Sequence, residues 1–129
     1  MPYVYSKVDD LDHHDLVGSH QCVALVQAFA NAPLTRYWKQ GAAVRGQLLL
    51  AKGTAIATFA EGAYKSRPHG NHAALYLSQD QGGIWVMDQW AGDPRKVTVS
   101  RHYLRFQGVG KDGQWINTSN NGDAYSVIE

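Results

Sequence analysis

The chain contains one cysteine, Cys22, and its setting suits a nucleophile. Gly18-Ser19-His20-Gln21 has the composition of a turn, and Val23, Leu25, Val26, Phe29 and Ala30 then fall on one helical face. A thiol at a helix start sits among the unpaired N–H groups of the first turn, which favour the thiolate. The same N–H groups can hold a developing oxyanion. The plainer alternative is a small buried hydrophobe, since free cysteine is among the most buried residue types. His72 follows Gly70-Asn71 and opens the strand-like run Ala73-Ala74-Leu75-Tyr76-Leu77. An imidazole at a strand end, facing a helix N-terminus, can take a thiol proton. Asp88 is the third candidate. The turn at residues 79–83 folds the run at 84–89 back antiparallel, which brings His72 level with residues 88–90. Alternation of period two puts Ile84, Val86 and Asp88 on one face and Trp85, Met87 and Gln89 on the other. Asp88 is the preferred cross-strand partner of His72, where it would accept the second ring N–H and set the tautomer. A register change of one residue brings Gln89 there instead.

Those three residues need one helix and a small sheet to meet. The helix covers residues 22–30 and ends at Asn31-Ala32-Pro33. Residues 34–44 read as a short helix or turn, and 47–50 are ambiguous. Strands are expected at 55–59, 72–77, 84–89, 97–100 and 124–128, with 101–106 ambiguous. This is an α+β pattern: an N-terminal helix carrying the nucleophile, packed on a small antiparallel β-sheet. A length of 129 residues and a mass of 14.2 kDa fit one domain spanning 1–129, with no internal repeat or low-complexity segment.

Composition removes several function classes. The chain is 44% hydrophobic and 18% charged, which argues against disorder. Twelve Lys+Arg against eleven Asp+Glu leave no footprint for nucleic-acid binding. One cysteine excludes an internal disulfide and a multi-cysteine zinc cage. Asp12, His13, His14 and Asp15 cluster before Cys22, but adjacent histidines point apart and no second ligand pair has a useful spacing, so no metal or other cofactor is expected. The acidic start is not a signal peptide, and no apolar run is long enough to insert in a membrane, so the expectation is a chain made in the cytoplasm. Lys65, Arg67, Arg95, Lys96, Arg101 and Arg105 make the second half locally basic, as a solvated face or as an attraction for an anionic polymer. His20, Trp90 and Tyr76 are candidates to line a substrate groove, with Trp85 and Tyr64 nearby.

The segment Gly18-Ser19-His20-Gln21-Cys22-Val23-Ala24-Leu25-Val26 resembles the nucleophile segment of the CHAP amidases (cysteine, histidine-dependent amidohydrolase/peptidase), in which a Gln-Cys pair opens the first helix. Gly53-Thr54-Ala55-Ile56-Ala57-Thr58-Phe59 resembles their first strand, Gly70-Asn71-His72-Ala73-Ala74-Leu75-Tyr76 their histidine strand, and Ile84-Trp85-Val86-Met87-Asp88-Gln89-Trp90 the strand bearing the acidic residue. The order Cys, His, acid is similar to the CHAP and NlpC-type branch of papain-like hydrolases. The likeness covers about residues 18–90. Thr54 stands where those proteins usually have Asp, Trp90 where many have Asn, and Asp88 where Glu is common.

The resemblance implies a papain-like fold and covalent chemistry. Cys22 would attack an amide of a peptidoglycan peptide, His72 would shuttle the proton, and Asp88 would orient His72. The backbone N–H of Cys22, with Gln21 as a weaker candidate, would stabilise the oxyanion. Small size without a wall-binding module also resembles the amidase effectors of bacterial type VI secretion. Such effectors act in the periplasm of a target cell, and their producers often carry an immunity protein. The competing readings are a non-catalytic binding module on the same fold, of immunity, inhibitor or recruiter type, and acyl transfer to an amine in place of hydrolysis.

Overall fold

Helix α1 spans Cys22–Ala30 and buries Leu25, Val26 and Ala30, the stripe set by their spacing. It stops at Asn31, which adopts the left-handed conformation (φ 60°), with Pro33 two residues on. The computed structural model describes residues 1–65 and 70–129, so Arg67 lies outside the described residues. Among the described residues, six strands follow the helix: β1 Gln40–Ala43, β2 Ala55–Thr58, β3 Ala73–Gln79, β4 Gly83–Asp88, β5 Ser100–Arg105 and β6 Tyr125–Ile128. They form one sheet in the order β1-β6-β2-β3-β4-β5, with every neighbouring pair antiparallel.

Period-two alternation gives the sheet two buried faces. Ala57, Ala73, Leu75 and Met87 join Leu25 and Val26 of α1 in one cluster. Ile56, Ala74, Tyr76, Ile84, Val86 and Tyr125 form a second cluster from the alternate positions. Leu25, Leu75 and Met87 are fully buried, and each such side chain contributes about 1.5–3 kcal/mol relative to exposure. The acidic lead-in is tied down at two places. A 3₁₀ turn at Val8–Leu11 buries Val8 and Leu11, and Tyr5 N–H donates to the Gly53 carbonyl at 2.9 Å. Gly53 needs to be glycine: its φ is +92°, and a Cβ there would collide with the Tyr5 carbonyl oxygen.

Three expectations are corrected. Residues 34–44 contain a 3₁₀ turn, Thr35–Tyr37, and then β1, an edge strand held by the C-terminal strand β6. The strand expected at 97–100 begins at Ser100, because Val99 is spent on the lead-in: it accepts from His13 N–H at 2.9 Å and donates to His14 O at 2.8 Å. The β3–β4 pairing also carries an irregularity between Tyr76 and Ser78. Beyond it Leu75 pairs with Met87, so by extension Ala74 lies level with Asp88 and His72 level with Trp90. Asp88 is therefore the diagonal neighbour of His72, not its direct partner. Among the described residues, no helix is long and apolar enough to cross a membrane.

Candidate active site

His72 is 7% exposed and stands just before β3, where its backbone is fixed by Thr58: its N–H donates to Thr58 Oγ1 at 3.0 Å, and its carbonyl accepts from Thr58 N–H at 3.0 Å. Its Nε2 lies 2.9 Å from Oδ2 of the fully buried Asp88. The small Ala74 side chain, level with Asp88, leaves room for that diagonal contact. With Nε2 engaged, Nδ1 is the ring nitrogen left for sulfur, and Cys22 at the tip of α1 is near enough to the imidazole for each group to shift the other's ionisation. The structure thus brings Cys22, His72 and Asp88 together from α1, the start of β3 and the end of β4. Cys22 is half-buried, not sealed in the core.

The electrostatics favour an ion pair. Burial pushes the Cys22 thiol up, but the His72 hydrogen bond and charge, the Tyr64 hydroxyl and the Ala73 backbone bring it below its ordinary value of 9.0. The Tyr64 hydroxyl is 3.7 Å from Sγ. Burial alone would discharge the His72 imidazolium; hydrogen bonds and charge from Asp88 and Cys22 outweigh it and raise the ring from 6.5 to about 9. Asp88 resists its own burial through His102 and His72, and its carboxyl is held well below the usual range. Gln21, the residue before α1, makes no side-chain cap, so the first-turn N–H groups are not closed off by it.

Two neighbours of Asp88 were not identified from the sequence. His102 Nδ1 is 2.8 Å from the same Oδ2 that His72 uses, and Lys96 Nζ is 2.7 Å from Oδ1. Ser100 pairs directly with Asp88 and His102 with Val86, so His102 is the diagonal neighbour of Asp88 on its other flank. Reading residues 100–105 as a strand would have exposed that placement. Lys96 lies in the β4–β5 loop and carries no pattern signal of its own. His72, Asp88 and His102 bring three possible metal-ligand atoms within 4.8 Å of one another. Those atoms are already hydrogen-bonded to each other, and the Lys96 ammonium opposes a cation at that carboxylate.

Residues 6–128 match the model of a protein family described as domesticated amidase effector 2. The chain belongs to the domesticated amidase effector 2 family. A type VI secretion amidase effector 2 protein of Salmonella typhi is 47% identical over 133 residues, covering 100% of both chains. Domesticated amidase effector 2 of Ixodes scapularis is 35% identical over 119 residues, covering 88% of this chain and 73% of that one. A solved structure of type 6 secretion amidase effector 2 matches with a TM-score of 0.91 at 46% identity, covering 98% of this chain and 94% of that one.

In this member of the domesticated amidase effector 2 family, the other sequence candidates take different places. Gln89 does not meet His72. It is fully buried, accepts from Val17 N–H at 2.9 Å, and donates to the carbonyls of Val17 at 3.1 Å and Gln21 at 2.8 Å. It therefore fastens the segment that leads into Cys22, because alternation turns it away from Asp88. Tyr76 is 3% exposed in the second core, where Gln79 donates to its hydroxyl at 3.2 Å, so it walls no groove. His20 is exposed in a left-handed turn (φ 69°) ahead of the helix. Trp90 does line a cavity, of about 250 Å³, with Asn71, His72, His102, Ser119 and Asn120. A larger hollow of about 640 Å³ shares Asn71 and runs beside Thr58, Trp115 and Thr118; the smaller one is closer to the chemistry because it touches the imidazole.

Proposed function

We propose that this chain is a cysteine amidase that cleaves amide bonds in peptidoglycan peptides through an acyl-enzyme on Cys22. The observation that carries the reading is a half-buried thiol at a helix tip, beside an imidazole backed by a buried carboxylate. The relatives named as amidase effectors supply the reaction class, and the resemblance to CHAP and NlpC-type papain-like hydrolases supplies the substrate class.

The Cys22 thiolate attacks the amide carbon, and the carbonyl electron pair moves onto oxygen. The Cys22 N–H, with the Gln21 side chain as a weaker second donor, stabilises that oxyanion. Collapse of the tetrahedral species breaks the C–N bond as the His72 imidazolium gives its proton to the leaving amine. Neutral His72 then takes a proton from water, hydroxide adds to the thioester, and the acid leaves with Cys22 restored as thiolate. Asp88 keeps Nε2 engaged so that Nδ1 faces sulfur throughout. On this reading residues 1–129 form one catalytic unit, delivered by type VI secretion to the wall of a target cell, and the producing cell carries an immunity protein.

The test is digestion of purified peptidoglycan, with released muropeptides identified by mass spectrometry. The wild-type chain releases new peptide termini, and Cys22→Ala releases none while keeping its unfolding transition. Wild-type rates in Cys22→Ala would overturn the proposal.

A further inference from the structure

Lys96 is 8% exposed, and its ammonium is enclosed. It donates to Asp88 Oδ1 at 2.7 Å and Ser100 Oγ at 2.6 Å, lies 3.4 Å from the Ser100 carbonyl, and sits 4.5 Å from the Trp90 ring centroid. Asp93 shapes the loop that returns it to the site: it accepts from Arg95 N–H through Oδ1 at 2.8 Å and from Lys96 N–H through its carbonyl at 3.0 Å. Buried ion pairs seldom add net stability over apolar residues of equal volume. Packing alone is thus a weak reason for a lysine here. The carboxylate it pairs with is the one that holds His72.

We propose that Lys96 is a positioning residue for the hydrolysis: it holds Oδ1 of Asp88 so that Oδ2 faces His72, and its charge offsets the carboxylate so that the His72 imidazolium can release its proton to the leaving amine. This rests on the Cys22–His72 reading of the site. A buried carboxylate with no countercharge would grip the imidazolium proton and slow its transfer to the amine. The groups facing the His72–Asp88 pair are Cys22 from α1, Tyr64 from the loop after β2, His102 from β5 and Tyr125 from β6, besides Lys96. Lys96 acts through Asp88 and touches no reacting atom. Removing its charge stabilises the imidazolium, so His72 then loses its proton at higher pH.

The test compares Lys96→Gln, which keeps an N–H for Oδ1 without the charge, with Lys96→Arg, which keeps the charge. kcat, KM and the pH profile are measured on muropeptides, and iodoacetamide alkylation of Cys22 against pH reads the same ionisations without turnover. In Lys96→Gln the alkaline limb moves up by about one pH unit, kcat at neutral pH falls about 10-fold, and KM stays within about twofold. Lys96→Arg keeps the wild-type limb. A purely structural role would lower the melting temperature and leave the limb in place. The inference is overturned if the limb stays or falls in Lys96→Gln, or if Lys96→Arg shifts it equally. Should the Gln variant not fold, Lys96→Met removes the same charge with the apolar stem kept, and the same outcomes decide. Cys22→Ala and His72→Ala run alongside: if they keep activity, the site reading fails; if they lose it and the Lys96 variants show no shift, only this inference fails.

Discussion

Replacing Asp88 by Asn tests how much the buried carboxylate contributes to the activation proposed for Cys22. Asn keeps the size of the side chain but offers one carbonyl oxygen to the three donors that now share two, His72 and His102 on Oδ2 and Lys96 on Oδ1. Burial works against the His72 imidazolium, and Asp88 is the first of the groups that overcome it, ahead of Cys22. The rise from 6.5 to about 9 is 2.5 pH units, or roughly 3.4 kcal/mol. If about 2 kcal/mol of that is lost, the equilibrium constant for the ion pair falls about 30-fold, and with misorientation of the ring the expected loss in kcat/KM is up to about 100-fold. The lost countercharge for Lys96 also lowers stability by about 3 kcal/mol, so rates are compared on protein shown to be folded by its unfolding curve. The assay is muropeptide release at several pH values, with the alkylation profile of Cys22 beside it. Folded Asp88→Asn with kcat/KM within threefold of wild type and an unmoved profile would show that the carboxylate does not activate Cys22 through His72.

Other perturbations act at a distance from sulfur. Gln89→Ala removes three hydrogen bonds to the segment before Cys22, so urea unfolding should show a loss of about 2–4 kcal/mol, with activity falling as that segment loosens. Stability should drop as pH falls below about 4, because Asp88 is held below its unfolded value of 3.8 and its contribution disappears as pH passes through its folded value; melting curves in acid check this. Above neutrality His72, raised from 6.5 to about 9, weakens folding as pH rises, while Cys22, lowered from 9.0, strengthens it. The two effects oppose each other, so the wild-type melting temperature falls less between neutral and mildly alkaline pH than that of Cys22→Ala, which keeps the His72 effect alone.

Much of this architecture is legible in local sequence. Helix α1 is announced by its apolar stripe and stopped by Asn31-Ala32-Pro33, and alternation marks β4, with Asp88 and Gln89 on opposite faces. What escapes local reading depends on partners distant in sequence. The edge strand β1 exists because β6 pairs with it, and Val99 leaves the sheet to bond the lead-in. The irregularity in β3 moves Asp88 to a diagonal position that turn geometry alone does not give. Lys96 and His102 belong to the carboxylate's surroundings only once the β4–β5 connection is closed.

In the proposed mechanism Cys22 is held as a thiolate by the His72 imidazolium. The most direct test is the rate of Cys22 alkylation by iodoacetamide as a function of pH, in the wild-type chain and in His72→Ala. Rapid alkylation well below pH 8 is expected in the wild type, with the inflection displaced upward to the range of an ordinary thiol in His72→Ala. An ordinary thiol profile in the wild type, unchanged by loss of the imidazole, would contradict it.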